Sequence, residues 1–477
     1  MVFSSALFLF LFLPITLLGY YIMPGKGRNL WLLLASLIFY SWGEPKYVLL
    51  MLLSIGVNFA FGLGIEHYQQ MESRQGVRKV ILLGSLVYNV GILFYFKYLG
   101  FTVHTIERIL PVGTKTVDSF VDAITMPIGI SFFTFQIMSY VIDVYRKDVP
   151  AQKSILKLAL YISMFPQLVA GPIVRYSLVA KQMEQRIISW DKLYVGVWRF
   201  MKGFTKKVLF SNTLAQIADM AFDQKLYSQS GAMAWFGIMA YTMQIYYDFS
   251  GYSDMAIGLG KLFGFDFNEN FDHPYCAKSI QEFWRRWHIS LSTWFRDYLY
   301  IPLGGSRCAT WKIYRNTMIV FLVTGLWHGA DFTFIIWGLY YGIFLILERG
   351  GMAKVLQKLP PFLQHLYAIL LIMIGWVFFR ADSLSAAISY LGGMLQLGNW
   401  NMELFLYKAN REQQLFLLIG AIGCIPVKDI LVKLVKKEPK QLARIEIVEL
   451  IAGFIGFLLS IIYMTGSGFN PFIYFRF

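Results

Sequence analysis

Apolar runs recur along the whole chain, with no polar block long enough to form a soluble domain between them. They fall near residues 3–22, 29–43, 46–65, 80–99, 127–145, 155–175, 190–212, 231–250, 315–330, 332–348, 363–380, 415–434 and 446–466. Most approach the ~20 residues that a membrane-crossing helix needs. Residues 383–398 read as a short re-entrant piece. The pattern predicts an all-α polytopic membrane protein, a single integral-membrane domain over 1–477. No internal repeat of the kind found in transporters is visible.

Composition narrows the class further. Hydrophobic residues make up 57% of the chain and charged ones 15%, against about 45–50% and 25% in soluble domains. An aromatic content of 18% excludes disorder. Cys276, Cys308 and Cys424 are too far apart for a disulfide scaffold. The net charge of +15 sits in short loops between apolar runs, not on one folded face, which argues against nucleic-acid binding.

The loops orient the helices by the positive-inside rule. Val2 to Tyr21 carries no charge ahead of Lys26, unlike a signal peptide, so it is expected to be a retained span with its N-terminus outside. Lys26 and Arg28, then Arg74, Arg78 and Lys79, then Arg146, Lys147, Lys153 and Lys157 mark cytoplasmic loops, with 100–126 outside. The stretch Lys278–Arg315 and the loop with Lys428, Lys433, Lys436, Lys437, Lys440 and Arg444 are also placed inside. The C-terminus, Phe469–Phe477, then falls outside.

The stretch 272–330 is the most informative. Ile280, Phe283, Trp284, Trp287, Leu291, Trp294, Phe295 and Tyr298 follow a 3-4-3-4 spacing, which predicts one amphipathic helix lying at the membrane interface. His288 falls on its apolar face. It is either a core histidine with one satisfied nitrogen or a functional group, since polar side chains in a bilayer are costly and mark sites. His328 is the stronger case. A helix rising ~1.5 Å per residue from Arg315 carries it about 20 Å inward. Gly325 and Gly329 flank it and leave room for a ligand or another backbone. A neutral imidazole there suits general-base chemistry; the alternative is a bond across helices.

Two further clusters stand out. Asp248 and Asp254 close the apolar run at 246–254, YYDFSGYSD. They are site candidates, or else pair with an arginine of 278–315. Phe165-Pro166-Gln167 with Gly171-Pro172 must break a helix and is tolerable only if buried or lining a cavity. No Walker A run, HExxH or paired CxxC is present, and no metal site is expected.

Four segments together resemble the membrane-bound O-acyltransferase (MBOAT) family. They are WRRWHISLSTWFRDYLYIPLGG at 284–305, GLWHGA at 325–330, FPQLVAGPI at 165–173 and YYDFSGYSDMAIG at 246–258. The motifs fall between about 130 and 345; 1–125 and 360–477 resemble the family in hydropathy only. Tyr300-Ile301-Pro302-Leu303-Gly304-Gly305 and Asn470-Pro471-Phe472-Ile473-Tyr474-Phe475 are similar to the bacterial alginate O-acetyltransferase branch. A branch that transfers D-alanine to teichoic acid is the competitor.

The resemblance implies a ring of roughly 11–14 transmembrane and re-entrant helices around a thin catalytic wall. His328 matches the family's essential histidine and His288 its second one. Asp248, Tyr252 and Asp254 match its polar signature. Together with Trp287 and Trp327 beside the histidines, and with Arg285, Arg286 and Arg296, they form the candidate substrate-binding set. The implied donor is cytoplasmic acetyl-CoA, with no permanently bound cofactor. Lys278, Arg285, Arg286, Arg296, Arg307 and Lys312 are available for its phosphates, or for lipid headgroups. The implied partners are the bilayer, an extracytoplasmic SGNH-type acetyltransferase and a polysaccharide acceptor, at a bacterial inner membrane. The C-terminal tail and 383–398 are the expected docking surfaces. A transporter of an acylated intermediate and a non-catalytic scaffold are the rival readings.

Overall fold

The computed structural model describes all residues except 70, 111–114, 397, 436–437, 467–472 and 474–477. The secondary-structure elements among the described residues are all helices, and the chain forms two compact units, Met1–Trp198 with Ala256–Asn268, and Arg199–Met255 with Glu269–Phe477.

In the first unit the Ile130–Arg146 helix is buried over most of its length. It lies against the Tyr47–Gln69 and Gln75–Leu93 helices. Those two are tied by polar side chains inside the apolar layer: Asn89 donates to Asn58 Oδ1 at 2.8 Å, and so does Ser85 Oγ at 2.8 Å. Such bonds hold helices together where lipid offers no competing partner. The proline-rich segment behaves as its sequence requires. The helix Ile155–Ser163 stops, a single turn Phe165–Leu168 follows, and residues 165–174 are buried. Gln167 Nε2 donates to the Tyr161 carbonyl that the break exposes, at 2.6 Å.

In the second unit the 16-residue Phe332–Leu347 helix packs on Thr310–His328 on one side and Pro361–Arg380 on the other. Two glycines set the first contact. A Cβ on Gly325 would lie 2.3 Å from the Phe334 carbonyl oxygen, and one on Gly338 would lie 2.3 Å from that of Phe321. The room beside His328 is therefore taken by a second helix backbone.

Among the described residues, five helices are long and apolar enough to cross a membrane: Tyr47–Gln69, Gln75–Ile109, Phe332–Leu356, Pro361–Arg380 and Pro439–Gly466. The pair Arg411–Gly423 and Val427–Leu434, bent by 58°, makes a sixth if counted as one span. This is fewer than the apolar runs predict. The remaining runs form helices that are shorter, broken or more polar. The run expected at 190–212 carries Arg199, Lys202, Lys206 and Lys207. The run at 231–250 is part of a 32-residue helix, Gly231–Leu262, that contains Asp248, Asp254 and Lys261. The re-entrant piece is the short helix Leu384–Met394. Lys436, Lys437 and most of the 470–475 signature lie outside the described residues. Ile473, from the tail expected to be exposed, is buried.

Candidate functional site

The amphipathic helix expected over 280–298 is not continuous. It runs from Ile280 to Arg286, breaks at Trp287 and His288, and resumes at Ile289–Phe295. Periodicity cannot see this break, because the apolar residues keep a helical spacing on both sides of it. His288 has a left-handed backbone, φ 44° and ψ 54°, which costs a non-glycine residue about 1–2 kcal/mol. Strain of this kind persists where the surroundings enforce it.

Asn270 does the enforcing. Its main-chain carbonyl accepts the Ile289 N–H at 3.0 Å. Its Oδ1 lies 3.1 Å from His288 Nδ1 and accepts both the Ser290 N–H at 3.1 Å and the Ser290 hydroxyl at 2.8 Å. Its Nδ2 donates to Ser253 Oγ at 3.0 Å. With the amide oxygen facing the imidazole, Nδ1 is the protonated nitrogen. Nε2 then carries a lone pair, and it is buried without a hydrogen-bond partner among the described residues. His288 is 1% exposed, and the Phe249 ring meets it edge-on at 4.5 Å.

The helix leading into His288 is also held from its start. Glu348, itself buried, accepts the N–H groups of Ile280 and Gln281 at 2.7 and 2.9 Å. A carboxylate at that end suits both the free N–H groups and the helix dipole. Ser279 adds a side-chain cap on Glu282 N at 3.0 Å.

His328 is the last residue of Thr310–His328. The rings of Trp327, Trp337 and Phe379 surround it, with centroids at 5.0, 5.0 and 5.2 Å. Trp327 also lies 6.2 Å from the His288 ring, so this one indole touches both histidines. Trp287 faces elsewhere, in an aromatic cluster with Phe271, Phe283 and Trp376.

A cavity of about 590 Å³ is lined by residues 281–296 and by the helix that ends at His328, but neither histidine lines it. Arg285, Arg296 and Gln281 give it a polar side, and Trp284, Phe295 and Phe321 an apolar one. Val320 and Thr324 line it from the His328 helix. Residues 320, 324 and 328 share one helix face, and Thr324 precedes His328 by about 6 Å of rise. Of the predicted cationic set, Arg285 and Arg296 line the cavity. Arg296 also bonds Asp297, and Arg286 is instead held by Glu282 and Asp272.

The two aspartates pair differently from expectation. Neither meets an arginine of 278–315. Asp248 bridges Lys207 at 2.7 Å, both side chains almost fully buried, and also accepts the Ser211 hydroxyl at 3.2 Å and the Ile473 N–H at 2.9 Å. Asp254 bridges Arg199 at 2.9 Å and Lys206 at 2.7 Å. The cations come from residues 199–207, where glycines permit close approach. A Cβ on Gly203 would lie 2.5 Å from the Gly251 carbonyl oxygen. Tyr252 is buried on the same helix. Sequence reasoning missed Asn270, Lys207 and Glu348, none of which stands in a recognisable spacing, and gave no role to Ser253 inside the 246–258 signature. The lysines were signalled only as charges inside an apolar run.

The family model described as MBOAT, membrane-bound O-acyltransferase family, matches residues 34–380, a wider stretch than the motifs mark. The chain is 45% identical over 404 residues to the probable alginate O-acetylase AlgI of Azotobacter vinelandii, covering 84% of this chain and 80% of the relative. It is 38% identical over 432 residues to the peptidoglycan O-acetyltransferase of Helicobacter pylori, covering 83% and 80%. Identity to the teichoic acid D-alanyltransferase of Bacillus subtilis is 30% over 237 residues, or 46% of this chain. The chain belongs to the membrane-bound O-acyltransferase family and is a multi-pass membrane enzyme, an O-acyltransferase.

Proposed function

We propose that this enzyme moves an acetyl group from cytoplasmic acetyl-CoA across a bacterial inner membrane for O-acetylation of an extracytoplasmic polysaccharide. Both termini face outward in this reading. The acetyl group passes to an SGNH-type partner that delivers it to sugar hydroxyls. The relatives that align over four-fifths of their length favour acetyl over D-alanyl transfer. Family membership sets aside the transporter and scaffold readings.

The observation that carries the proposal is the cavity between Arg285, Arg296 and the Thr324 face of the His328 helix. Its volume suits a small-molecule arm. Guanidinium groups at one side fit the donor's phosphates, which sends the thioester along Val320 and Thr324 toward His328. His328 removes the proton from the incoming hydroxyl. The oxygen attacks the thioester carbonyl, and the tetrahedral intermediate expels the thiolate, which takes up a proton. His288 presents its Nε2 lone pair to orient the donor or a water, with Trp327 between the two imidazoles. Asp248, Tyr252 and Asp254 support this wall.

The test uses purified protein in vesicles, its partner and radiolabelled acetyl-CoA. His328→Ala should lower transfer by roughly 10²–10⁴, and His365→Ala should leave it unchanged. Arg285→Gln with Arg296→Gln should raise KM for the donor more than it lowers kcat. Full transfer by His328→Ala would overturn the catalytic assignment. Label transfer from a D-alanyl donor, with none from acetyl-CoA, would overturn the substrate.

A further inference from the structure

The first unit holds a second cationic group that acyl transfer does not use. Arg28 opens the Arg28–Gly43 helix, and Arg186 follows the Tyr176–Glu184 helix. Both guanidinium groups lie on the Tyr20 ring, 5.5 and 5.6 Å from its centroid. Arg186 also lies 4.6 Å from the Phe265 ring. Tyr20 is fixed beneath them by its hydroxyl, which donates to the Phe263 carbonyl at 2.6 Å.

Neither arginine makes an ion pair among the described residues. The nearby carboxylates are engaged elsewhere, Asp266 by Lys192 and Lys261 and Glu184 by Lys157. Among the described residues, the hydrogen-bond acceptor of Arg186 is the amide oxygen of Asn29. Arg28 Nε and Arg186 Nη1 are buried without a hydrogen-bond partner among the described residues. Burial pushes Arg186 below its ordinary range, and the Arg28 charge pushes the same way while Tyr20 opposes it. Two half-buried cations on one ring, with donors unmet and no carboxylate, are a costly arrangement. An anion between them resolves it. The free N–H groups at the start of the Arg28–Gly43 helix favour the same charge.

The surroundings indicate which anion. Ile187 is 75% exposed and Trp190 86% exposed, and Ile22 is exposed as well. Apolar and aromatic side chains beside a basic cluster are the mark of a membrane interface. Planar guanidinium forks recognise phosphate oxygens two at a time. We propose that Arg28 and Arg186, both held against the Tyr20 ring, bind the headgroup phosphate of an anionic phospholipid.

The test uses the full chain in zwitterionic detergent, with short-chain phosphatidylglycerol, short-chain phosphatidylcholine or inorganic phosphate added. The readouts are thermal midpoint and lipid retained in native mass spectra. Phosphatidylglycerol should raise the midpoint by a few degrees and stay bound. Arg28→Gln and Arg186→Gln should each weaken its retention roughly tenfold, and the exposed Lys358→Gln should not. The two arginines come from different elements, and retention is read on the folded fraction, so loss of fold in one variant leaves the other decisive. Equal effects of phosphatidylcholine, or unchanged retention in both arginine variants, would overturn the site. Stabilisation by inorganic phosphate alone, with no added effect of lipid, would overturn the lipid assignment.

Discussion

Asn270→Ala is the most discriminating change to make near the histidines, because it removes positioning without touching either imidazole. The substitution deletes the acceptor of the His288 N–H and of both Ser290 donors, and the donor to Ser253. The main-chain bond from Ile289 survives. A buried donor left unsatisfied costs about 1–3 kcal/mol. Ser290 Oγ, 3.5 Å from His288 Nδ1, is placed to recover part of this, so the expected loss of stability is about 2–4 kcal/mol. Activity should fall further than folding does. Without Asn270 the imidazole is free to carry its proton on Nε2 and to swing from its place beside Phe249. Losing about 1.4–2.8 kcal/mol of orientation corresponds to roughly 10–100-fold in rate. Asn270→Asp keeps the acceptor and should recover much of that loss per folded molecule, at a folding cost from the extra buried charge. Acetyl transfer in vesicles, normalised to the monodisperse fraction from size exclusion, separates the two effects. Turnover per folded molecule within twofold of wild type in Asn270→Ala would refute the positioning argument and reduce Asn270 to packing.

Three further outcomes are expected. Lys207→Met and Asp248→Leu should each destabilise the protein by about 3–5 kcal/mol, since each strands a buried charge, while the double variant should cost clearly less than their sum; a denaturation double-mutant cycle reads this, and additive losses would contradict it. Gly325→Ala should cost about 1–3 kcal/mol through overpacking against Phe334 and should lower transfer by shifting His328, as a thermal midpoint and a transfer assay on the same sample will show. His288→Asn should abolish most transfer while holding the melting temperature within a few degrees, because asparagine also accepts a left-handed backbone; a collapse of the melting temperature would mean the imidazole mainly packs.

The apolar pattern located most of the helices, because burial in lipid or core leaves the same long hydrophobic runs in the sequence. It does not record kinks such as those after Ser163 and at His288. The histidines were legible as costly groups in apolar surroundings. Their supports were not. Asn270 and Ser253 are ordinary polar residues whose role exists only once residues 253, 270 and 288 meet. Glu348 acts 68 positions away in sequence from Ile280. Lys207 was legible only as a charge in the wrong place, and its partner could not be chosen from spacing.

The polar signature YYDFSGYSD gains a physical reading from these contacts. Its aspartates are paired with Lys207, Lys206 and Arg199. What they do is fix the Gly231–Leu262 helix against residues 199–211, at a distance that Gly203 and Gly251 permit. Two neighbours in the same signature then face the other way. Phe249 meets the His288 ring, and Ser253 takes the amide of Asn270. A buried ion pair adds little net stability against an apolar replacement, but it penalises every arrangement in which the pair is broken. On this account the charges specify one register of the helix, and that register brings Phe249 and Ser253 to the histidine. Replacing Lys207 and Asp248 together by apolar residues should then restore folding while leaving transfer impaired. Recovery of both would show that the pair serves stability alone.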